Sequence, residues 1–522
     1  MNGIEIATLD FVVIGIYFMA IAGIAIWVSR GVETGDDLFL AGRSLGWKTV
    51  GTSLFASNIS STTLIGLAGA AYVSGIATAN YEWMAGVVLV FMSLFYIPIY
   101  LRSKISTVPE LLERRFDRRS RLYFSALTIF LTLAVDTAGG IYAGAIVLQV
   151  FVPELDLWTT CILLALVAGI YTAAGGLKAV VYSDVLQAVI LIVGCTALTV
   201  VVFSHYDFSW AAATEDLPEG HLSLIRPLDD DMLPWLGTLI GVPVLGFWYW
   251  GANQYVTQRI FGARSLRDAQ WGANLGGFLK LLPLFIMVLP GAMAVGLIEP
   301  LDDGDQVFPT LVATMLPVGI TGLVLAGLVA AIMSSIDSTL NSSSTLIIKD
   351  FVENDDRRLE PGQVRRYGRI ATVVLMVIAA AWAPMIANFG GLFSYLQQAF
   401  SILVPPVVAI FLLGVFWHRG GGRAALGTLL IGHVLGIVLF LLSQAGIWPL
   451  HYTINVGILT AISALIFVAI AYTEPEPDQD RIRGVRHIRE AHEEGDLPWY
   501  QRPRLQGAVI LLLTAAIVVA FW

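Results

Sequence analysis

A run of polar residues interrupts an apolar segment early in the chain. Six of the seven side chains in Ser57–Thr63 carry a hydroxyl or an amide, and residues 50–56 and 64–73 on either side are mainly apolar. In hydrocarbon, backbone that leaves the helix is tolerated only beside protein or a water-filled cavity. The run therefore predicts an interrupted helix whose free carbonyl oxygens face an ion and a solute. The alternative is a continuous helix whose hydroxyls donate to the carbonyl four residues earlier.

A second set of small and oxygen-bearing residues recurs with helical spacing between residues 331 and 341. The i, i+3, i+4, i+7 pattern places its members on one helix face. They are Ala331, Ser334, Ser335, Ser338 and Asn341. Sodium is a hard cation that prefers oxygen ligands, so these hydroxyls and the carbonyls of the interrupted helix would suit a monovalent cation. Close helix packing is the alternative for such a face, and the polar run favours the cation site over it.

Aromatic residues and amides cluster in a third segment, Gly246–Gln254. Four aromatic residues stand between Gly246 and Gly251, and the amides Asn253 and Gln254 follow. Such rings are often only core or interface residues. The glycines and amides around them favour a second interruption, with rings that face a cavity.

The composition places these segments in a membrane protein. Of the 522 residues, 57% are hydrophobic and only 13% are charged, whereas soluble domains are about 25% charged. The two cysteines, Cys161 and Cys195, lie in apolar segments and predict no disulfide framework. The sequence shows no nucleophile–base set and no metal cluster, so we expect neither an enzyme nor a nucleic-acid partner.

Windows of about 20 apolar residues predict fourteen membrane spans, which we number from 0 because the first precedes the interrupted helix. Their predicted bounds are 10–29, 49–73, 79–101, 122–151, 157–175, 180–204, 235–258, 271–297, 317–347, 369–386, 391–417, 424–444, 453–472 and 506–522.

The positive charges predict the orientation of these spans, because lysine and arginine concentrate in cytoplasmic loops. With the N-terminus outside, the cytoplasmic connections are 30–48, 102–121, 176–179, 259–270, 348–368, 418–423 and 473–505. These connections and the residues that flank them hold 28 of the 30 lysines and arginines, all except Arg226 and Lys280. The outer loops are acidic. Fourteen spans would place both termini outside.

Five ionisable residues lie inside predicted spans: Glu82, Asp136, Asp184, Lys280 and Asp337. Charge in hydrocarbon is costly, so each is a candidate functional residue. Asp136 is the weakest of them, because nothing near it in sequence suggests a ligand set. We expect Asp136 to be structural.

Several separated motifs follow one another along the chain. They are Phe39-Leu-Ala-Gly-Arg-Ser, Ser53-Leu-Phe-Ala-Ser-Asn-Ile59, Gly75–Trp83, Trp248-Tyr-Trp250, Leu279-Lys280-Leu281, Met333–Asn341 with Lys349-Asp350, and Gln397 ahead of Pro405-Pro406. Together these motifs resemble the sodium/solute symporter family, and most closely its sodium/glucose cotransporter branch. The resemblance runs from about residue 36 to residue 418, and the last three spans match only in hydrophobicity.

The resemblance implies an all-α fold of the LeuT type, in which spans 1–5 and 6–10 form an inverted repeat. It divides the chain into an extra N-terminal helix at 1–35, a ten-helix transport core at 36–418 and three C-terminal helices at 419–522. The last region includes a cytoplasmic loop at 473–505.

The resemblance also implies the site residues. In the family, the principal sodium site uses backbone carbonyls at the positions of Ala56, Ile59 and Ala331 and hydroxyls at those of Ser334 and Ser335. In members that transport sugars, the residues at the positions of Asn58, Glu82, Lys280 and Gln397 hydrogen-bond the sugar, Tyr249 corresponds to the inner gate, and Trp250 corresponds to a ring near it.

Two departures leave the identity of the sugar open, because Thr63 stands where some relatives have histidine and Gly246 where they have a polar side chain.

A possible second cation site follows from the same resemblance. Asp184 corresponds to an acidic residue linked to cation passage, and members with a second sodium site add hydroxyls of span 8. Here Asp184, Asp337 and Ser338 would form that site for a second sodium ion or a proton.

These observations predict a symporter that imports a hexose-like sugar with sodium by alternating access, in the plasma or inner cell membrane. Its partners would be the sugar, the co-transported sodium ion and the lipid bilayer, without an organic cofactor. A symporter for another solute, such as an inositol or an amino acid, coupled to sodium or protons, is the alternative. A membrane sensor is less favoured, because segment 473–505 is too short for an appended signalling domain.

Overall fold

A computed structural model of the chain describes residues 7–29, 40–151, 154–172, 177–353, 359–389, 391–485 and 497–522. Within these ranges the secondary structure is helical, and the only β-type pairings are two isolated bridges. Ten of the described helices are long and apolar enough to cross a membrane, and the bent pair in span 1 brings the number to eleven. The predicted all-α membrane fold is confirmed, and the count of fourteen spans stays a prediction.

A helix or a broken helix lies at each predicted span. In chain order the main helices are Thr8–Ser29 for span 0, Trp47–Asn58 and Ser61–Ser74 for span 1, Asn80–Phe91 and Ile97–Ser103 for span 2, Arg118–Leu131 and Ala138–Phe151 for span 3, Leu157–Thr172 for span 4, Leu177–Ser204 for span 5, Trp235–Ile240, Val242–Phe247 and Gln254–Phe261 for span 6, Leu266–Leu279 and Leu289–Met293 for span 7, Ile320–Leu346 for span 8, Pro361–Trp382 for span 9, Leu392–Phe416 for span 10, Gly422–Gln444 for span 11, Tyr452–Ala471 for span 12 and Pro503–Ala520 for span 13.

Span 1 is interrupted within the run Ser57–Thr63. Its two halves are bent by 56° relative to each other. Ile59 leaves the helical conformation (φ −77°, ψ 69°), and Ser60 is extended (φ −86°, ψ 173°) before the second half begins. The polar run therefore produces a broken helix and not a continuous one.

Span 6 is interrupted as well, at the amide that follows the aromatic cluster. The helix Val242–Phe247 continues into a π-helical turn, Trp248–Ala252, and then stops at Asn253, which is extended (φ −74°, ψ 123°). The side chain of Asn253 accepts a hydrogen bond from the N–H of Tyr255 (3.2 Å) at the start of the next helix. A short polar side chain at this position satisfies one of the free N–H groups of a helix start.

The connections that carry the basic residues gather on one side of the bundle. Hydrogen bonds and ion pairs join Arg43 to Ile105, Arg121 to Asp350, and Arg419 to Glu476. On the opposite side, the N–H of Leu224 donates to the carbonyl of Phe521 (2.7 Å) near the C-terminus. The structure thus groups the connections as the charge pattern does. That the basic side faces the cytoplasm stays a prediction.

Span 0 is attached to span 8 through Asp10. Its buried carboxylate accepts hydrogen bonds from the N–H groups of Gly319 (2.6 Å) and Gly322 (2.8 Å) at the start of span 8. A carboxylate there satisfies free N–H groups and interacts favourably with the positive end of the helix dipole. Gly322 permits the close approach, because a Cβ atom at this residue would lie 2.5 Å from the Cα of Asp10. The contact fixes the start of the helix that carries Ser335.

Candidate ion and solute site

The break in span 1 leaves two carbonyl oxygens without a hydrogen-bond donor. The hydroxyl of Thr63 donates to the carbonyl of Asn58 and so occupies one oxygen of the break. Within the described residues, no N–H or O–H group donates to the carbonyl oxygens of Ala56 and Ile59. Buried carbonyls normally have partners. These two are therefore available to a cation.

Span 8 lies against this break with part of its predicted cation-binding face. The helix contacts both halves of span 1. Ala331 is buried, and Ser335 lines the cavity next to the break. The side chain of Ser334 lies outside the described side chains. A sodium site between spans 1 and 8 stays a prediction that this placement allows.

A polar cavity opens beside the break, between spans 1, 2, 3, 6, 8 and 10. Six of the seven residues predicted to bind the solute line this cavity. Five of them have side chains that can form hydrogen bonds, and the sixth, Trp250, lines the cavity with its ring. The polar and charged residues of its wall are Ser57, Asn58, Ser60, Thr62, Thr63, Tyr81, Glu82, Asp136, Tyr249, Tyr255, Ser335, Thr339 and Gln397. Most of these groups can donate as well as accept hydrogen bonds. The wall therefore suits a solute with several hydroxyl groups.

Lys280, the seventh residue predicted to bind the solute, forms a buried ion pair at the cavity. Its ammonium donates to the carboxylate of Glu82 and to the side-chain oxygen of Asn58. The side chains of Lys280 and Glu82 are 0% and 8% exposed. The same nitrogen lies 5.9 Å from the ring centre of Trp250, which adds a cation–π contact. These bonds join span 7, span 2 and the break of span 1 at one point.

Tyr249 links the two interrupted helices. Its hydroxyl donates to the carbonyl of Ser57 (3.3 Å) and accepts from the hydroxyl of Tyr255 (3.0 Å). Its ring packs edge-on against Trp250, with the ring centres 5.0 Å apart. Both breaks are thus connected through one hydroxyl. The role of Tyr249 as an inner gate stays a prediction.

Asp184 forms a second buried ion pair, with a partner that the sequence did not indicate. Its carboxylate accepts from Arg259 (2.9 Å), from Ser53 (2.7 Å) and from Ser57 (3.3 Å). The side chains of Asp184 and Arg259 are each 1% exposed. The predicted end of span 6 at residue 258 is wrong, because the helix continues to Phe261 and carries Arg259 into the protein. In the sequence, a buried arginine at the end of an apolar span cannot be distinguished from an arginine in a cytoplasmic connection.

The other residues of the possible second cation site are only partly described. The hydroxyl of Ser338 is buried, and no described group hydrogen-bonds to it. The side chain of Asp337 lies outside the described side chains. Since Arg259 already neutralises Asp184, a second cation would depend mainly on Asp337. That site stays a prediction.

The structure also places Asp136, which we expected to be structural, in the cavity wall. Asp136 belongs to a π-helical turn, Thr132–Thr137, in span 3. Such turns are frequent at functional sites. In the sequence, the only sign of this position is an acid inside a predicted span.

Asp305, in the connection between spans 7 and 8, positions the start of span 10. Its carboxylate accepts from the N–H of Leu392 (2.9 Å), the first residue of the helix that carries Gln397. Burial raises the pKa of Asp305 to about 6. The contact holds the start of span 10 against the connection between spans 7 and 8.

These features define a class of protein. A bundle of apolar helices with two interrupted members, free carbonyls at one break and a polar cavity beside it is the architecture of a secondary transporter. The sequence model of the sodium:solute symporter family matches residues 38–432, and the chain belongs to this family.

Curated relatives cover nearly the whole chain. It is 32% identical to sodium/glucose cotransporter 4 of Danio rerio over 94% of this chain and 83% of that protein. It is 33% identical to sodium/glucose cotransporter 1 of Oryctolagus cuniculus, over 93% and 82%. It is also 33% identical to the sodium/myo-inositol cotransporter of Mus musculus, over 91% and 74%. These relatives are transporters and not enzymes.

Solved structures show the same fold. A sodium-coupled sialic acid symporter in a substrate-bound, outward-open state has a TM-score of 0.78 at 23% identity, covering 91% of this chain and all of that one. Mhp1, a transporter of the nucleobase-cation-symport-1 family, has a TM-score of 0.59 at 14% identity, with coverage of 87% and 99%. The core is therefore of the LeuT type.

Proposed function

We propose that this protein imports a sugar or a related polyol together with sodium. The observation that carries the proposal is the shared position of Asn58. Its backbone belongs to the break between the free carbonyls of Ala56 and Ile59, and its side chain accepts from Lys280 in the cavity. An ion at the break and a solute in the cavity would thus act on one residue.

The predicted sodium ligands are the carbonyls of Ala56, Ile59 and Ala331 and the hydroxyls of Ser334 and Ser335. Sodium bound to spans 1 and 8 would hold the break in the arrangement that presents Asn58 and Thr63 to the solute. Coupling of binding free energies is reciprocal, so the solute raises the affinity for sodium by the same factor. Each inward charge contributes about 2.3 kcal/mol per 100 mV.

The solute would bind through Asn58, Glu82, Lys280 and Gln397, with Tyr249 and Trp250 as aromatic neighbours. A polyol hydroxyl both donates and accepts, so it can bond carboxylate, amide and ammonium groups alike. The paired charges of Lys280 and Glu82 favour a neutral solute. The similarity to sodium/glucose and sodium/myo-inositol cotransporters supports this class and leaves the particular polyol open.

Uptake into proteoliposomes tests the proposal. The purified protein is given labelled D-glucose, D-galactose or myo-inositol, with an inward sodium gradient or with potassium in its place. We expect at least one of these polyols to accumulate with sodium and not with potassium. Equal accumulation in both ions, or none of any polyol, would contradict the proposal.

Antibody access to tags at both termini in intact cells tests the predicted placement of both ends outside the cell membrane.

A further inference from the structure

Asp136 lines the cavity with a carboxylate whose described hydrogen bonds are weak. Its Oδ1 is 3.5 Å from the hydroxyl of Tyr255, at the limit of a hydrogen bond, and that hydroxyl also donates to Tyr249 (3.0 Å). One hydroxyl hydrogen cannot serve both acceptors. The Oδ2 of Asp136 is buried, and no described group hydrogen-bonds to it.

The surroundings of Asp136 supply no compensating charge. Its nearest polar neighbours are neutral, the hydroxyl of Tyr255 and the amide of Asn253. The two cations near the cavity are already paired, Lys280 with Glu82 and Arg259 with Asp184. Within the described residues, no lysine, arginine or histidine forms an ion pair with Asp136. The carboxyl group therefore has hydrogen-bonding capacity that the described residues leave unused, and a solute hydroxyl in the cavity would use it.

The space next to Asp136 is open to such a partner. Gly140 lies one helical turn further along span 3 and also lines the cavity, where the lack of a side chain leaves room. Thr137, the residue directly after Asp136, donates a hydrogen bond to the hydroxyl of Thr339 in span 8 (2.9 Å). Span 3 is thereby tied to the helix that carries Ser335, which holds Asp136 at a fixed place in the wall.

We propose that Asp136 is a substrate-binding and selectivity residue, which accepts hydrogen bonds from hydroxyls of a neutral polyol and excludes solutes that carry a carboxylate. The inference rests on the proposed function and extends it to the charge class of the solute. A polyol hydroxyl can donate a hydrogen bond to Asp136, whereas a solute carboxylate has no hydrogen to donate and is repelled by a second acid.

Competition measurements test this assignment. In proteoliposomes with a sodium gradient, unlabelled D-glucose and D-glucuronate compete against labelled D-glucose uptake by the wild type, Asp136→Asn and Asp136→Ser. A carboxylate held near a second one costs roughly ten- to hundredfold in affinity at the polarity of a partly buried site. We expect the wild type to prefer glucose over glucuronate by at least tenfold. Both variants should lose at least fivefold of that preference.

Two controls separate this effect from misfolding and from a change in total charge. Sodium-induced thermal stabilisation should stay within twofold of the wild-type concentration dependence in both Asp136 variants. Asp229→Asn removes the same charge at an exposed position outside the cavity and should keep the wild-type preference. A wild-type preference retained in both Asp136 variants would overturn the assignment and leave the proposed function intact. A wild type without sodium-dependent glucose uptake would overturn both.

Discussion

Two buried ion pairs contact the first half of span 1, and they differ in what surrounds them. Lys280–Glu82 lies at the cavity, where Glu82 lines the wall and the ammonium also donates to Asn58. Arg259–Asp184 is enclosed, with each side chain 1% exposed. One pair faces space that a solute can enter, and the other faces only protein.

The partners of the enclosed pair show how completely it is satisfied. Asp184 Oδ2 accepts from Arg259, Ser53 and Ser57, and Arg259 donates further to Ser53 (2.8 Å) and to the carbonyl of Tyr255. These bonds tie spans 1, 5 and 6 together. Buried charge is tolerated only when it is paired and hydrogen-bonded. The comparison teaches that two ion pairs of similar burial can differ in whether a cavity lies beside them.

Removing one member of the enclosed pair should have the largest effect. Arg259→Ala leaves Asp184 buried without a cation, which typically costs about 3–5 kcal/mol of stability. We expect a large fall in the melting temperature of the detergent-solubilised protein. Arg264→Ala, which removes an arginine that is 62% exposed, is the matched control and should cost at most about 1 kcal/mol.

The double variant Arg259→Met with Asp184→Leu sharpens this test. It removes both charges and should recover part of the lost stability, because replacing a buried pair by apolar residues is often neutral. Recovery of stability without recovery of transport would show that the pair also serves the transport cycle. A single variant as stable as the wild type would contradict the enclosed arrangement.

Changing the cavity pair should weaken solute binding, and Glu82→Gln should also lower the melting temperature, because it leaves Lys280 buried without an anion. Glu82→Gln removes a charged hydrogen-bond acceptor worth about 1.5–3 kcal/mol, so the sugar concentration for half-maximal uptake should rise about tenfold or more. Gln397→Ala removes a neutral partner, worth about 0.5–1.5 kcal/mol, and should raise it about two- to tenfold. Sodium-induced thermal stabilisation without sugar should be retained in both. An equal loss of sodium binding would identify these residues as structural.

The predicted sodium site between spans 1 and 8 should be sensitive to one hydroxyl. Ser335→Ala removes a neutral ligand worth about 0.5–1.5 kcal/mol, and the sodium concentration for half-maximal uptake should rise about two- to tenfold. Ser343→Ala, two turns further along span 8, serves as the control and should leave that concentration unchanged. An unchanged sodium dependence in Ser335→Ala would remove Ser335 from the ligand set.

The smallest change in transport is expected from substitution of Asp337. This substitution tests whether a second cation binds near the enclosed ion pair. If two sodium ions are coupled, wild-type uptake should depend on sodium with a Hill coefficient above one. Asp337→Ala should bring that coefficient towards one and weaken accumulation. A transporter that moves one charge per sugar, unchanged in Asp337→Ala, would exclude the second site.

The local parts of this arrangement could be predicted from the sequence, and the pairings between distant residues could not. The break in span 1 could be predicted from the run Ser57–Thr63, because the cost of polar backbone in hydrocarbon depends on nearby residues alone. Glu82 and Lys280 are separated by 198 residues. The sequence does not reveal their pairing, which the packing of spans 2 and 7 produces.

Arg259 and Asp136 show where such reasoning ends. Arg259 follows an apolar span, so a positive-inside count assigns it to a loop, and only the helix that runs to Phe261 reveals its burial. Asp136 has no polar neighbour in sequence that suggests a ligand. Its neighbours Tyr249 and Tyr255 come from another helix more than 100 residues away, and the packing of spans 3 and 6 brings them together.

The contact between Asp10 and span 8 has a consequence for the synthesis of the protein. The carboxylate and the N–H of Gly319 are 309 residues apart. At about 5–20 residues per second, the ribosome needs about 15–60 s to make the intervening chain. During that interval the N–H groups of span 8 are missing, and within the described residues only the N–H of Ala7 (3.2 Å) donates to the carboxylate of Asp10. Span 0 can therefore be fixed to span 8 only after a large part of the chain has been made.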